Sequence, residues 1–194
     1  FYNLYFLALT TYIISYMNNV KKESRKKMNE ITVKDITVEE ARAQIACMLN
    51  ELWHSRLPKI HWSNVVRNTH YVCHVFKYKQ AIIGVGIWSS PVAQNRFKDG
   101  KKMLELRRLA LSDVCPKNTA TYVIAQMTKQ IKIKFPEINR LISYQDTTVH
   151  LGTIYKAANW TAVSNVPLMD WSNKQRKRSV LQSDSSKVRW EYKI

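Results

Sequence analysis

The segment from residue 104 to residue 160 constrains the fold most, because strand-like and helix-like patterns alternate within it. Residues 104–111 have the apolar character of a buried strand, and residues 112–119 collect turn-forming Ser, Asp, Pro and Asn. Apolar residues then recur at helical spacing up to about residue 134. A second strand is predicted at 141–144 and a short helix at 152–158. The order predicts a βαβ unit in an α/β fold.

The turn before the long helix has two interpretations. Pro116 suits a helix entrance, and Asn118 or Thr119 can cap the first turn. The free N–H groups and the dipole of a helix N-terminus can bind a phosphate. The same pattern is also typical of an ordinary surface helix packed on a sheet, and the local sequence does not decide between the two.

The net charge indicates a polyanionic partner. The 194 residues include 31 Lys and Arg against 14 Asp and Glu, a formal net charge of +17. Nucleic acid is the first candidate partner and an acidic membrane surface the second, while a basic solubilising surface is the simplest alternative. The three cysteines form no CxxC pair, so no zinc site is implied, and they suit a reducing compartment.

The other elements are predicted from shorter patterns. Residues 31–36 alternate as a first strand, and Thr37 and Glu40 form a capping-box pattern for a helix running to about residue 53. Residues 71–76 and 81–88 predict a hairpin, in which Gly84 and Gly86 mark a bulge or the close approach of a ligand. A last strand is predicted at 188–192.

The first residues differ from the rest of the chain. Residues 1–16 are apolar and aromatic, and residues 21–27 are basic, an order that does not match a signal peptide. We predict that residues 1–27 are a non-native or disordered extension, that residues 28–194 form a single domain, and that the protein does not associate stably with membranes.

Residues 152–160, GTIYKAANW, together with the order of elements, resemble the acyl-CoA-binding half of GNAT acyltransferases. The resemblance implies a mixed, twisted sheet flanked by helices and acetyl-CoA as cofactor. It departs from the family in one respect, because the loop at 116–120 contains no glycine. The cofactor-binding residues that it implies are Arg107, Arg108, Pro116, Lys117, Asn118, Thr119, Ala120 and Asn159.

Five further motifs resemble the Mom-type DNA modification proteins of phages and prophages: WHSRLP at 53–58, WSSP at 88–91, LELRRL at 104–109, PKNT at 116–119 and YQD at 144–146. This GNAT-like family converts adenine in duplex DNA to an N6-carbamoylmethyl form and protects phage DNA from restriction. The resemblance therefore implies double-stranded DNA as substrate, acetyl-CoA as group source, iron as a possible participant, and the cytoplasm of a bacterial host as location.

Three residues are candidates for the chemistry. Tyr155 matches the tyrosine that protonates the departing thiolate in GNAT enzymes, or it is a packing residue. Asp146 can accept a proton or hold a substrate amine, or it caps the next element. His54, in the first Mom-type motif, is the candidate for a metal or substrate site, although a helix C-terminus also stabilises histidine.

Arg107 and Arg108 occupy adjacent strand positions, so we expect their side chains to face opposite ways. One is a candidate for binding phosphate in bidentate fashion, and the other for an ion pair with Glu105.

A basic loop near the C-terminus is the candidate DNA contact, through Trp171, Lys174, Arg176, Lys177 and Arg178. Trp62, Trp88 and Trp171 are candidate stacking platforms for an extruded base, although Trp88 and Trp160 fit a buried core better. Two other functions remain open. One is a GNAT N-acetyltransferase for a protein or small-molecule amine, and the other a non-catalytic DNA-binding protein on a GNAT scaffold.

Overall fold

The computed structural model describes residues 32–54, 57–91, 102–166 and 186–194. Its centre is a seven-stranded mixed sheet in the order β1-β2-β3-β4-β5-β7-β6. The strands are β1 Ile36–Ala41, β2 Tyr71–Tyr78, β3 Ala81–Ser89, β4 Met103–Leu111, β5 Arg140–Asp146, β6 Thr161–Val166 and β7 Lys187–Lys193. The helices are α1 Ala43–Trp53, α2 Trp62–Val66, α3 Thr119–Lys134 and α4 Thr153–Ala157, and a 3-10 turn, Val33–Asp35, precedes β1.

Two apolar cores lie on opposite faces of the sheet. On one face, α1 and α2 cover β2, β3 and the end of β4, with Leu49 and Ile87 among the buried residues. On the other face, α3 packs Val123, Ile124, Met127 and Ile131 against the sheet. The predicted helical spacing of these four residues is therefore the buried stripe of α3. The predicted α/β architecture, a mixed sheet with helices on both faces, is confirmed.

The prediction for residues 31–53 was wrong in its boundaries. The first strand occupies Ile36–Ala41, and the helix begins only at Ala43. Thr37 and Glu40 lie in β1, paired with β2, so they are no capping box. Glu39 and Glu40 form ion pairs with Lys77 of β2 and Lys134 of α3. Pairing with β2 thus outweighs the local helix signal.

The two glycines of β3 leave room for side chains of the protein core. A Cβ on Gly86 would lie 2.5 Å from the sulfur of Met127 in α3, and a Cβ on Gly84 would lie 2.6 Å from the ring of Phe76. The close approach expected from these glycines is therefore that of core side chains. The bulges fall next to them, between Phe76 and Lys77 of β2 and between Ile87 and Trp88 of β3.

Two elements have no counterpart among the predictions, the short helix α2 and the strand β6. Across the described ranges, no helix combines the length and apolarity needed to cross a bilayer. The proposed extension at 1–27 lies outside the described residues.

Candidate functional site

A cleft opens where two parallel strands separate. β4 and β5 pair only where Met103–Leu106 of β4 lie beside Arg140–Ser143 of β5. Beyond these positions β4 continues along β3 up to Leu111, and β5 continues along β7 up to Asp146. The backbone of β4 after Leu106 therefore has no strand partner on its β5 side. A cleft of about 990 Å³ lies at this divergence.

The cleft brings together residues that are distant in the sequence. Six of the predicted site residues line it: His54, Arg107, Arg108, Ala120, Asp146 and Tyr155. A second cavity, of about 360 Å³, adjoins it at the start of α3 and is lined by Pro116, Asn118, Thr119 and Ala120. Leu111, Ala120 and Ile154 line both cavities, so the two cavities share part of their lining. Lys117 and Asn159 line neither cavity.

Tyr155 lies at the point of divergence. It is 7% exposed, and its hydroxyl oxygen lies 2.9 Å from that of Ser143 on β5. Ser143 is the last residue of β5 that pairs with β4. Burial raises the pKa of the Tyr155 phenol, and the hydrogen bond with Ser143 opposes that rise. The phenol is therefore neutral near pH 7 and can donate a proton.

An aromatic stack from the neighbouring strand holds Tyr155 in place. The ring of Trp190 on β7 stacks on that of Tyr155, with centroids 5.4 Å apart and an interplanar angle of 17°. The indole N–H of Trp190 donates to Oε1 of Gln145 at 2.8 Å. Nε2 of Gln145 donates to the carbonyl of His150 in the loop before α4. The orientation of Tyr155 is thus tied to both β5 and β7.

Asp146 closes a turn as well as lining the cleft. Its Oδ1 accepts hydrogen bonds from the backbone N–H and the hydroxyl of Thr148, at 3.0 and 2.6 Å. Its backbone carbonyl accepts from the N–H groups of Val149 and His150. The carboxylate is therefore oriented by the β5–α4 turn, which fits the capping interpretation without removing the side chain from the cleft.

The loop at the start of α3 supplies a helix N-terminus without side-chain caps. Asn118 makes no capping hydrogen bond, and the hydroxyl of Thr119 donates back to the carbonyl of Pro116 at 2.7 Å. The expected cap by either side chain was wrong. Among the described residues, no backbone acceptor is recorded for the N–H groups of Ala120 and Thr121, and both residues line the second cavity. These groups can bind an anion there.

Asn118 also explains how this loop forms without glycine. Its φ of 70° lies in the left-handed region. Asparagine adopts this region more readily than other residues with side chains. The loop therefore reaches a backbone conformation that glycine would take more easily, and the missing glycine does not prevent the chain from turning into α3.

His54 lies at the cleft but without a set of metal ligands. It is the C-cap of α1, and its N–H donates to the carbonyl of Asn50 at 2.8 Å. Within the described ranges, no group of three or more His, Cys, Asp or Glu side chains could hold a metal ion. The donor set there does not fit iron, so no step of the chemistry is derived through a metal.

The tryptophans differ in how deeply they are buried. Trp88 and Trp160 are buried, and the indole N–H of Trp88 donates to the sulfur of Met127 at 3.2 Å. Trp88 is therefore no stacking platform. Trp62 on α2 is 38% exposed. Trp171 and the basic loop with Lys174, Arg176, Lys177 and Arg178 lie outside the described residues.

Cys47 and Cys115 pack in the two apolar cores. Cys47 is buried in the core under α1, and burial raises its pKa to about 11. Burial also raises the pKa of Cys115, whose thiol donates to the carbonyl of Ile83 at 3.1 Å. Cys115 therefore remains a thiol, because burial disfavours the charged form.

Sequence reasoning missed Gln145 and Trp190 and gave Ser143 no role. The available signal was a polar residue at two alternate positions of β5, Ser143 and Gln145, both of which the structure buries. Trp190 carried no signal, since its partner strand is distant in the sequence.

The fold is that of GNAT acetyltransferases of known structure. An IAA acetyltransferase from Bacillus cereus ATCC 14579 superposes with a TM-score of 0.55 at 13% identity, over 82% of this chain and 99% of the other. A GNAT acetyltransferase from Elizabethkingia anophelis with acetyl-CoA bound gives 0.55 at 13% identity, with the same coverage. A putative acetyltransferase from Salmonella typhimurium with acetyl-CoA gives 0.58 at 9% identity, over 82% and 94% of the two chains.

Within that class, the family model of the Mom proteins matches residues 30–188. The chain belongs to the Mom protein family, as the separate sequence motifs predicted. No curated protein sequence matches the chain.

Proposed function

We propose that this Mom-family protein modifies the exocyclic N6 amine of adenine in duplex DNA, using acetyl-CoA as the group source, and so protects phage or prophage DNA from restriction. One observation carries the proposal. A buried, neutral phenol, Tyr155, stands at the strand divergence between a cavity at a helix N-terminus and a cleft that carries arginine side chains.

The cofactor would occupy the α3 side of the cleft. The uncapped N–H groups of Ala120 and Thr121 would bind the CoA pyrophosphate, which the helix dipole also favours. The amides of the pantetheine arm would pair with the β4 backbone that has no strand partner after Leu106. This arrangement would place the thioester near the Tyr155 hydroxyl.

The proton transfers follow from the residues at the divergence. For transfer of an acyl group, the amine attacks the thioester carbon, a C–N bond forms, and the C–S bond breaks. Asp146 is positioned to accept the proton that the amine loses, and Tyr155 to donate a proton to the departing thiolate. The raised pKa of Tyr155 keeps it protonated until that moment.

The transferred group is the finer part of the proposal. The Mom resemblance implies a carbamoylmethyl product. An acetyl group contains both carbons and the oxygen of that product but not its amide nitrogen. Acyl transfer would also join N6 to the carbonyl carbon, whereas in the carbamoylmethyl group N6 is bonded to the methylene carbon. The described residues are therefore assigned only to binding the acyl-CoA, to moving protons and to releasing the thiolate, and the mass of the modified nucleoside identifies the group.

Mass spectrometry of nucleosides from plasmid DNA tests the proposal. We expect a modified deoxyadenosine in cells that express the protein and in the control variant Tyr71→Phe, which alters an exposed tyrosine that does not line the cleft. Tyr155→Phe should lower the rate of modification by about 10²–10⁴-fold, the usual cost of losing a general acid, while acetyl-CoA still binds.

Two other results would replace the proposal. If the purified protein binds acetyl-CoA in a calorimetric titration but leaves adenine unmodified, the acceptor is an amine of a protein or a small molecule. If it binds DNA but shows no acetyl-CoA binding at millimolar ligand, it is a DNA-binding protein on a GNAT scaffold.

A further inference from the structure

Arg107 and Arg108 enter the same cleft because of a β-bulge. Ile87 of β3 pairs with Arg108, but the next residue, Trp88, pairs with Leu106. Arg107 is thus the extra residue of β4 at this point. Nη1 of Arg107 donates to the hydroxyl of Ser89 at 3.1 Å, and Nη2 of Arg108 donates to the carbonyl of Pro58 at 3.1 Å. The expectation that the two side chains face opposite ways was wrong, because a bulge interrupts the alternation of a strand.

The two arginines lie on the α1 side of the sheet. Arg108 is paired with Ile87, which belongs to the core under α1 and α2, and its other neighbour is the segment after α1. The cavity at the start of α3 is lined instead by residues of the β4–α3 loop and of α4. Neither arginine lines that cavity. The cationic end of the cleft is therefore separate from the proposed pyrophosphate end.

The two arginines bring two guanidinium groups side by side into the cleft. Glu105 is the acidic neighbour of both, with an oxygen 3.8 Å from Nε of Arg107. Arg108 is half-buried, and two of its N–H groups donate to backbone carbonyls. Its Nε has no hydrogen-bond partner among the described residues. Burial and then the charge of Arg107 lower the pKa of Arg108 to about 10. Two adjacent guanidinium groups held in this way form a site for an anion.

We propose that Arg107 and Arg108 bind a backbone phosphate of the DNA next to the extruded adenine, on the opposite side of the cleft from acetyl-CoA. This inference rests on the proposed function. A base that enters the cleft brings its flanking phosphates to the rim, and guanidinium groups recognise phosphate oxygens in bidentate fashion. The Arg107 side chain, 18% exposed, is open enough to meet such a phosphate.

Binding measurements on three variants test the assignment. Arg107→Met removes one charge, and Arg108→Lys keeps the charge but removes the planar fork. Arg140→Met is the matched control, because Arg140 starts β5 at the end of the sheet away from the divergence and pairs with Glu191. Duplex DNA binding is measured against salt concentration, and acetyl-CoA binding by calorimetry.

The variants should differ in a defined way. Arg107→Met should weaken DNA binding about ten- to hundredfold, the cost of a charge-assisted hydrogen bond, and flatten the slope of log affinity against log salt by about 0.9. Arg108→Lys should weaken binding without changing the slope. Both should bind acetyl-CoA as the unmodified protein does, which also shows that they are folded, and Arg140→Met should affect neither ligand.

Three results would overturn the inference. Loss of acetyl-CoA affinity with normal DNA binding would assign the arginines to the cofactor. Normal binding of both ligands would leave them a purely structural role. If the unmodified protein bound no duplex DNA, both this inference and the proposed function would be wrong. If the enzyme modified DNA and the arginine variants bound DNA normally, only this inference would be wrong.

Discussion

The hydroxyl oxygens of Tyr155 and Ser143 lie 2.9 Å apart where β4 and β5 separate. Ser143 is 2% exposed, and its hydroxyl is also within 3.4 Å of the Leu106 carbonyl. When Ser143 donates to Tyr155, the phenol proton is left to point into the cleft. When Tyr155 instead donates to Ser143, the phenol proton points toward Ser143 and not into the cleft. In the proposed mechanism this contact therefore governs how readily the phenol acts as an acid.

Ser143→Ala should move the alkaline limit of catalysis. The hydrogen bond with Ser143 lowers the pKa of Tyr155, so its removal should raise that pKa further. In the proposed mechanism the protonated phenol is the active form. The fall of kcat at high pH should therefore shift to higher pH, while kcat near neutral pH falls through loss of orientation. A pH profile of kcat checks this, and a limit that stays in place or shifts to lower pH would contradict the acid role of Tyr155.

Trp190→Phe should separate the stacking of the indole from its hydrogen bond. Phenylalanine keeps a ring against Tyr155 but leaves Oε1 of Gln145 without its donor. An unsatisfied buried acceptor costs about 1–3 kcal/mol in the free energy of unfolding. Urea unfolding of Trp190→Phe, Gln145→Leu and the double variant should give a coupling energy of about 0.5–3 kcal/mol. Strictly additive effects would mean that the hydrogen bond contributes nothing.

His74 should make the protein less stable in mild acid. It is 1% exposed, its Nδ1 has no hydrogen-bond partner in the described part of the chain, and burial lowers its pKa from 6.5 to about 4. Glu40 and a hydrogen bond with Gln130 oppose this shift, and Lys134 adds to it. Since the unfolded chain takes up a proton below pH 6.5 and the folded one does not, stability falls as the pH drops from 6.5 to about 4.

His74→Leu tests that assignment. It should reduce the slope of the free energy of unfolding against pH by up to about 1.4 kcal/mol per pH unit in this window. His61→Asn, a change at an exposed histidine that starts α2, is the control and should keep the slope. If His74→Leu unfolds with the original pH dependence, His74 is not the residue whose protonation destabilises the fold.

The C-terminal basic loop should contribute to DNA binding through charge alone. Replacing Lys174, Arg176, Lys177 and Arg178 by Ala should flatten the salt dependence of DNA binding by up to roughly three or four units if all four contact phosphates. Acetyl-CoA binding should not change, because the loop lies outside the 104–160 unit. An unchanged salt slope would place the DNA contacts elsewhere on this +17 chain.

Local patterns in the sequence determined the elements from β4 to α4. The run of apolar residues in β4, the turn formers before α3 and the helical spacing up to Ile131 each encode a backbone conformation and its buried face. The same holds for the segment with Tyr155 and for the hairpin of β2 and β3. These features depend on neighbours within a few residues, so periodicity and turn chemistry are sufficient to predict them.

Only the tertiary structure decided how these elements meet. The sequence pattern at Thr37 to Glu40 favoured a helix, but pairing with β2 and ion pairs with Lys77 and Lys134 made it a strand. The bulge at Arg107 depends on the register between β3 and β4, and the Tyr155–Trp190 stack on β7 lying next to β5. Register and strand order follow from the packing of residues far apart in the chain, which local periodicity does not encode.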